Sequence, residues 1–255
     1  MKDLPGTGSL NGFDALARRP PDGLQWGVSG DQQALLLAWT PPGAPSPALR
    51  AAVVGVEMPL RLIVRPDGPA DLAAFLDADR HRPQAVGTGS LASLAHLAQD
   101  LLRAAVHGAW QVVLYRGGAP AAADLLSGTL DAAVVAGGVA EPLLRQGQAQ
   151  GLLVLRRAPD LLFPESPGLD AAGLPPELVT AGWQGLVSPP GVPDPLMEAA
   201  ASALADAAWE TAVPLAADGL RSASGGLSAA AARIAAEAAR FGDAARALAR
   251  RERAG

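Results

Sequence analysis

The chain has no cysteine, which excludes disulfides, zinc–thiolate sites and thiol catalysis. It has little aromatic content, 4% with a single tyrosine, so its core must rest on aliphatic and small side chains. Charged residues are also sparse, at 18%, and the net charge is −5. No basic stripe is present apart from the arginines between Arg246 and Arg253. That stretch also carries Glu252 and reads as a solvated terminal helix face, so no nucleic-acid partner is implied. The three histidines, His81, His96 and His107, lack metal-ligand spacing. No apolar run is long enough to span a bilayer; the strongest, 51–64, contains Glu57, Pro59 and Arg61. The opening Met1-Lys2-Asp3-Leu4-Pro5-Gly6 has no apolar core and is not a signal peptide.

What is present is a globular composition, 49% hydrophobic over 255 residues, enough for one large domain or two small ones. The punctuation is strong. Pro20-Pro21-Asp22-Gly23 ends a short helix over 13–18, and Pro189-Pro190-Gly191-Val192-Pro193 ends a strand over 183–187. A strand is expected over 24–28 and a helix over 31–39. Two separate strands are expected over 51–56 and 60–64, and a helix over 71–79. Next come a strand at 84–86 and a helix over 91–107, whose Leu91, Leu94, Ala98, Leu101, Leu102 and Ala105 share one face. Strands over 110–115, 132–136 and 151–155 alternate with helices over 119–126, entered through Pro120, and 142–148. This alternation predicts an α/β fold of βα units around a largely parallel sheet. Near the end, a helix over 195–213 precedes a last one starting near Ser228. Leu227, Ala231, Ile234, Ala238, Phe241, Ala245 and Leu248 form its seam, mostly alanine, which favours docking on the parent domain over a coiled coil.

One local echo points to function. Gly6-Thr7-Gly8-Ser9-Leu10 recurs as Gly87-Thr88-Gly89-Ser90-Leu91, each ahead of a helix. Three readings stay open for the second copy. It is a plain tight turn with Ser90 as the helix cap. Or Gly87-x-Gly89-x-x-Ala92 is a dinucleotide fingerprint, weak because the next strand ends in Tyr115-Arg116 and not in an acidic residue, although arginine suits a 2′-phosphate. Or the turn holds a small anion, with glycines that let the backbone approach and hydroxyls from Thr88, Ser90 and Ser93. No nucleophile–base–orienter set can be identified, and no serine lies in a Gly-x-Ser-x-Gly elbow. His96, three residues after Ser93, reads as a surface or packed side chain. Asp124 is expected to face solvent, and Asp131, just before a strand, to point into a cleft.

Taken in order, these segments resemble the Bug/TctC family of periplasmic solute-binding proteins from tripartite tricarboxylate transporters, nearly end to end. Pro5-Gly6-Thr7-Gly8-Ser9, Gly12 and Pro21-Asp22-Gly23 resemble P-G-A-G-G…G…P-D-G-Y-T. Gly87-Thr88-Gly89-Ser90-Leu91-Ala92-Ser93 with His96-Leu97 resembles G-S-G-G-N-G-S-x-x-H-L. Tyr115-Arg116-Gly117, Pro120, Asp124-Leu125-Leu126, Gly128 and Asp131 resemble Y-K-G-x-x-P-x-x-x-D-L-L-x-G-x-x-D. Arg157 and Gly173 match a further stretch, and Trp183-Gln184-Gly185-Leu186 with Pro189-Pro190-Gly191-Val192-Pro193 resembles W-x-G-L-x-A-P-x-G-T-P.

The resemblance implies a periplasmic-binding-protein-like type II fold. It would have two βα domains, 1–60 plus 187–255 and 61–186, with a hinge and an interdomain cleft. It implies a monomer in the periplasm that binds a small carboxylate without catalysis or cofactor and serves the membrane subunits of a tripartite transporter. The matching positions nominate Gly87, Thr88, Gly89, Ser90 and Ser93 for the ligand, with Asp131 following. There are departures. Family members carry a signal peptide, a first strand, a P-G-G-G-x-x-D loop and a helix ahead of the matched region, and this chain starts after them. The reading frame is therefore expected to begin further upstream; a chain complete as it stands is expected to bind simple dicarboxylates weakly or not at all. Leu91 and Ala92 replace Asn and Gly, and Ser166-Pro167-Gly168 stands near the family's V-P-T. The other readings are an NADP-dependent enzyme using the Gly87 turn and a non-binding remnant of the family.

Overall fold

A computed structural model describes residues 10–31, 33, 35, 49–91, 93–159, 162–217, 221–222 and 226–254. The first glycine echo and most of the helix expected over 31–39 lie outside the described residues. The chain divides into two compact units, one of Met1–Glu57, Trp183–Ala217 and Arg221–Gly255, the other chiefly Met58–Gly182.

The first unit holds β1 (Gly27–Gly30), β7 (Ala181–Ser188), β8 (Arg221–Ser222) and the first half of β2 (Arg50–Val64). β1 pairs antiparallel with β7, β7 lies next to β2, and β8 pairs antiparallel with Val56 and Glu57 of β2. Helices α1 (Leu10–Ala17), α6 (Asp194–Ala217) and α7 (Leu227–Ala254) supply the apolar cover. Phe13 of α1 packs with Leu49 and Val187, and Met197 and Ala201 of α6 pack with Ala52, Val53 and Val192. α7 docks through Ala230 and Ile234 on Trp183, so its seam serves the parent unit and not a coiled coil. Polar contacts fix the same helix. The Trp183 indole N–H donates to Glu237 Oε2 at 2.7 Å, and Arg233 bridges Glu237 and Glu57.

The second unit is the βα part. Its helices are α2 (Leu72–His81), α3 (Leu94–Ala105), α4 (Gly118–Leu126) and α5 (Gly137–Arg145). Strands β3 (Ala85–Thr88), β4 (Gln111–Leu114) and β5 (Ala132–Ala136) run parallel in the order β5-β3-β4. The second half of β2 runs antiparallel to both β5 and β6 (Gln150–Val154). β3, β4, β5 and β6 therefore point one way and β2 the other. Ile63, Leu125, Leu130, Ala133, Val135 and Ala140 form the core under α4 and α5. Leu94, Leu97 and Leu102 of α3 are buried, as are Phe75 and Trp110, whose rings lie 5.6 Å apart. Each of these large side chains contributes roughly 1.5–3 kcal/mol.

The strand expected over 24–28 is β1 at Gly27–Gly30, and several other boundaries also differ from the sequence reading. β2 is one strand through Pro59, which has no N–H; the proline lies between residues 56–57, which pair with β8, and Leu60, where pairing with β5 begins. α3 begins at Leu94 and not at 91, because Ser93 Oγ accepts from the His96 N–H at 3.2 Å and caps the helix. α5 starts at Gly137, straight out of β5, and Pro142 lies inside it. At the far end of α3, His107 takes φ +52°. A left-handed residue here is usually glycine. The neighbouring Gly108 serves a different need, since a Cβ there would meet the Trp110 ring at 2.2 Å.

Candidate functional site

Because β3, β4 and β5 are parallel and adjacent, their carboxyl ends lie along one edge of the second unit. Leu60 of β2 faces Ala136 at the end of β5, and Thr180 bonds Leu155 and Leu60. Open α/β sheets bind ligands outside the carboxyl ends of their strands.

Each of the three strands turns into a helix there through small residues. β3 passes Gly89 and Ser90 into the Ser93 cap of α3. A Cβ on Gly89 would lie 3.2 Å from Ser93 Oγ, so the glycine leaves room for the capping hydroxyl. β4 passes Tyr115 and Arg116 into Gly117, which stands at φ +129° with open space around it and caps α4 without a side chain. β5 passes Ala136 into Gly137 and Gly138, again with no side-chain cap. None of the three first turns carries an acidic residue. The edge therefore gathers helix N-termini whose backbone N–H groups and partial positive charge face outward, two of them with no side-chain acceptor. Chemically it can hold an anion by main-chain donors, and its described residues form no acid–base or nucleophilic set.

The nominated residues separate into three groups. Gly89 and Ser90 lie at this edge, and Ser93 is the cap of α3. Gly87 and Thr88 are not in a turn: they end β3 and are buried. The Thr88 hydroxyl donates to Val134 O at 3.2 Å, and Gly87 is small because a Cβ would meet Leu130 Cδ1 at 2.3 Å. Asp131 is at the other edge. It precedes β5, its N–H bonds Ala85 O at the start of β3, and its carboxylate accepts from Ala85 N at 2.7 Å and from Arg82 at 2.7 and 3.2 Å. Burial pushes its carboxyl up, but Arg82, the Ala85 N–H and Arg65 outweigh this and hold it below the usual carboxylate range. It locks the amino edge of the sheet and does not reach the Gly89 turn.

The neighbours give a consistent picture. Asp124 does not simply face solvent; it accepts from the Tyr115 hydroxyl at 2.6 Å. That bond, with burial, pushes the tyrosine up to about 12. His96 is buried, and its link to Ser93 is the backbone cap. The helix starts only at Leu94, so the last fingerprint position falls ahead of it, which disfavours the dinucleotide reading. Sequence reasoning passed over Gly117-Gly118 and Gly137-Gly138 as site residues. The available signal was that each glycine pair follows an aliphatic strand run and precedes a helix, as Gly89 does.

Comparison with known proteins agrees with this architecture. The family model described as the tripartite tricarboxylate transporter family receptor, TctC, matches residues 1–239. Protein BugT from Bordetella pertussis is 28% identical over 199 residues, 75% of this chain and 60% of BugT. The chain thus spans about 60% of the length of this curated relative. Among solved structures, MatC from Rhodopseudomonas palustris with bound malate superposes with a TM-score of 0.83 at 24% identity, over 94% of this chain and 85% of MatC. An R. palustris protein with adipate gives 0.82 at 23% identity, over 94% and 83%. The fold is therefore periplasmic-binding-protein-like, and the chain belongs to the tripartite tricarboxylate transporter receptor family of TctC and Bug proteins.

Proposed function

We propose that the chain captures a small carboxylate at the carboxyl edge of the β5-β3-β4 sheet, in the periplasm, for the membrane subunits of a tripartite transporter, and that it catalyses no reaction. The observation that carries this reading is the convergence of the α3, α4 and α5 N-termini at one edge without an acidic side chain in their first turns. Such an edge selects for negative charge and is indifferent to the rest of the ligand. Malate and adipate, present in two similar structures, are dicarboxylates, which makes that class the first to test. The ligand is held by Gly89 and Ser90, with Gly117, Gly118, Gly137 and Gly138 supplying the other main-chain donors. Calorimetric titration with a panel of mono- and dicarboxylates, run beside NADPH, tests the reading. Heat from at least one dicarboxylate and none from NADPH is expected. NADPH binding with no response to any carboxylate would overturn it.

A further inference from the structure

A buried ion pair stands directly behind one of the three junctions. Arg61 Nη2 donates to Glu141 Oε1 at 3.1 Å, and neither side chain has any exposed surface. Arg61 is on β2, opposite Val135 of β5 and Val154 of β6. Glu141 is one turn into α5. A Cβ on Gly137 would lie 2.8 Å from the same Glu141 oxygen, so the carboxylate packs against the first residue of the helix. The Arg61 guanidinium also covers the Phe163 ring, 5.1 Å from its centroid, and Arg145 from the last turn of α5 lies 5.9 Å from it.

Stability alone is a poor reason for this pair. Removing two charges from water is costly, and apolar replacements of similar volume are often no less stable. Its position suggests a better reason. A carboxylate under the first residue of α5 lies at the positive end of the helix. Left uncompensated, it would oppose any second anion arriving from outside. We infer that Arg61 is a positioning residue for the ligand: by neutralising Glu141 and holding it against Gly137, it keeps the N-terminus of α5 available to an external carboxylate. This rests on the proposed carboxylate reading.

The test uses the full chain, malate as the probe, and three variants: Arg61→Met, Glu141→Gln and the double substitution. Arg61→Met removes the guanidinium that donates to Glu141 Oε1 and should weaken malate binding by on the order of tenfold. The double variant should bind nearly as the wild type does. Glu141→Gln should bind more tightly, which a merely structural role would not produce. Weaker binding in all three variants would overturn the inference. If Arg61→Met does not fold, the sign of the Glu141→Gln effect decides. Failure of the wild type to bind any carboxylate counts against the proposed function and removes this inference with it; failure confined to the variants removes the inference alone.

Discussion

Replacing Gly87 by alanine separates a packing glycine from a ligand-binding one. Gly87 is not at positive φ, so alanine is compatible with the backbone. The difficulty is space. The new methyl would lie 2.3 Å from Leu130 Cδ1, 3.3 Å from Ala121 Cβ and 3.4 Å from Tyr115 Cε2. Comfortable carbon contacts need ~3.5–4 Å. Leu130 must therefore retreat by more than ~1 Å, inside a core that also holds Ile63, Leu125 and Ala133. Overpacking of this kind costs about 1–3 kcal/mol. Alanine recovers roughly 0.5–1 kcal/mol of that by restricting the unfolded chain. The expected net loss is about 1–2 kcal/mol. Leu130→Val removes the obstructing carbon at a cost of about 1 kcal/mol for the lost methylene. The double variant should then be more stable than the sum of the singles by about 1 kcal/mol. Urea unfolding followed by circular dichroism, with an unchanged slope, reads all four corners of the cycle. An alanine variant as stable as the wild type, or strict additivity, would refute the packing argument.

The chain has a single tyrosine, so an alkaline titration of absorbance reports Tyr115 alone. Its midpoint should lie at about 12 in the wild type and return toward about 10 in Asp124→Asn. Because the folded value is raised, the stabilisation is full below the unfolded value and is lost as pH rises toward the folded one. At the end of α3, His107→Gly should stabilise by about 0.5–1 kcal/mol, since glycine tolerates the left-handed conformation that histidine holds at φ +52°. Asp131→Asn should cost about 1 kcal/mol at neutral pH, a modest figure because Arg82 is largely exposed. The folded Asp131 value is lowered, so its contribution is present above the ordinary carboxylate range and disappears as pH falls through the folded value. The gap between wild type and variant should close in acid, as read by urea unfolding across a pH series.

The sequence carries the element pattern because apolar periodicity and proline–glycine punctuation are local signals. α3 was legible as a helix from its Leu94, Ala98, Leu101 and Leu102 face, yet its start was not. Leu91 fits the same periodicity, and only the hydrogen bond from the His96 N–H shows that Ser93 is the cap. β2 looked like two strands because a proline interrupts a run of aliphatic residues. That Pro59 falls between two sets of ladder partners is a tertiary fact. The proposed site was half legible. Gly89 and Ser90 were visible through their motif, while Gly87 belonged to the same motif for another reason, the approach of Leu130. Asp131 was nominated by the family resemblance and expected to point into a cleft, but parallel register sets it beside Ala85, at the opposite edge from the Gly89 turn. The Gly117 and Gly137 junctions join the site only because β4 and β5 flank β3, and strand order is not written in any one segment.

The central claim is that main-chain donors at the carboxyl edge of β3, β4 and β5 hold a carboxylate. A nitrogen–proton correlation spectrum of the labelled chain, titrated with malate into the millimolar range, tests it most directly and detects even weak binding. The account predicts saturable shifts at the amides of Gly89, Ser90, Gly117, Gly118, Gly137 and Gly138, with Asp131 and Ala85 at the other edge unmoved. Shifts centred on Asp131 and Arg82, or none at the three glycine junctions, would contradict it.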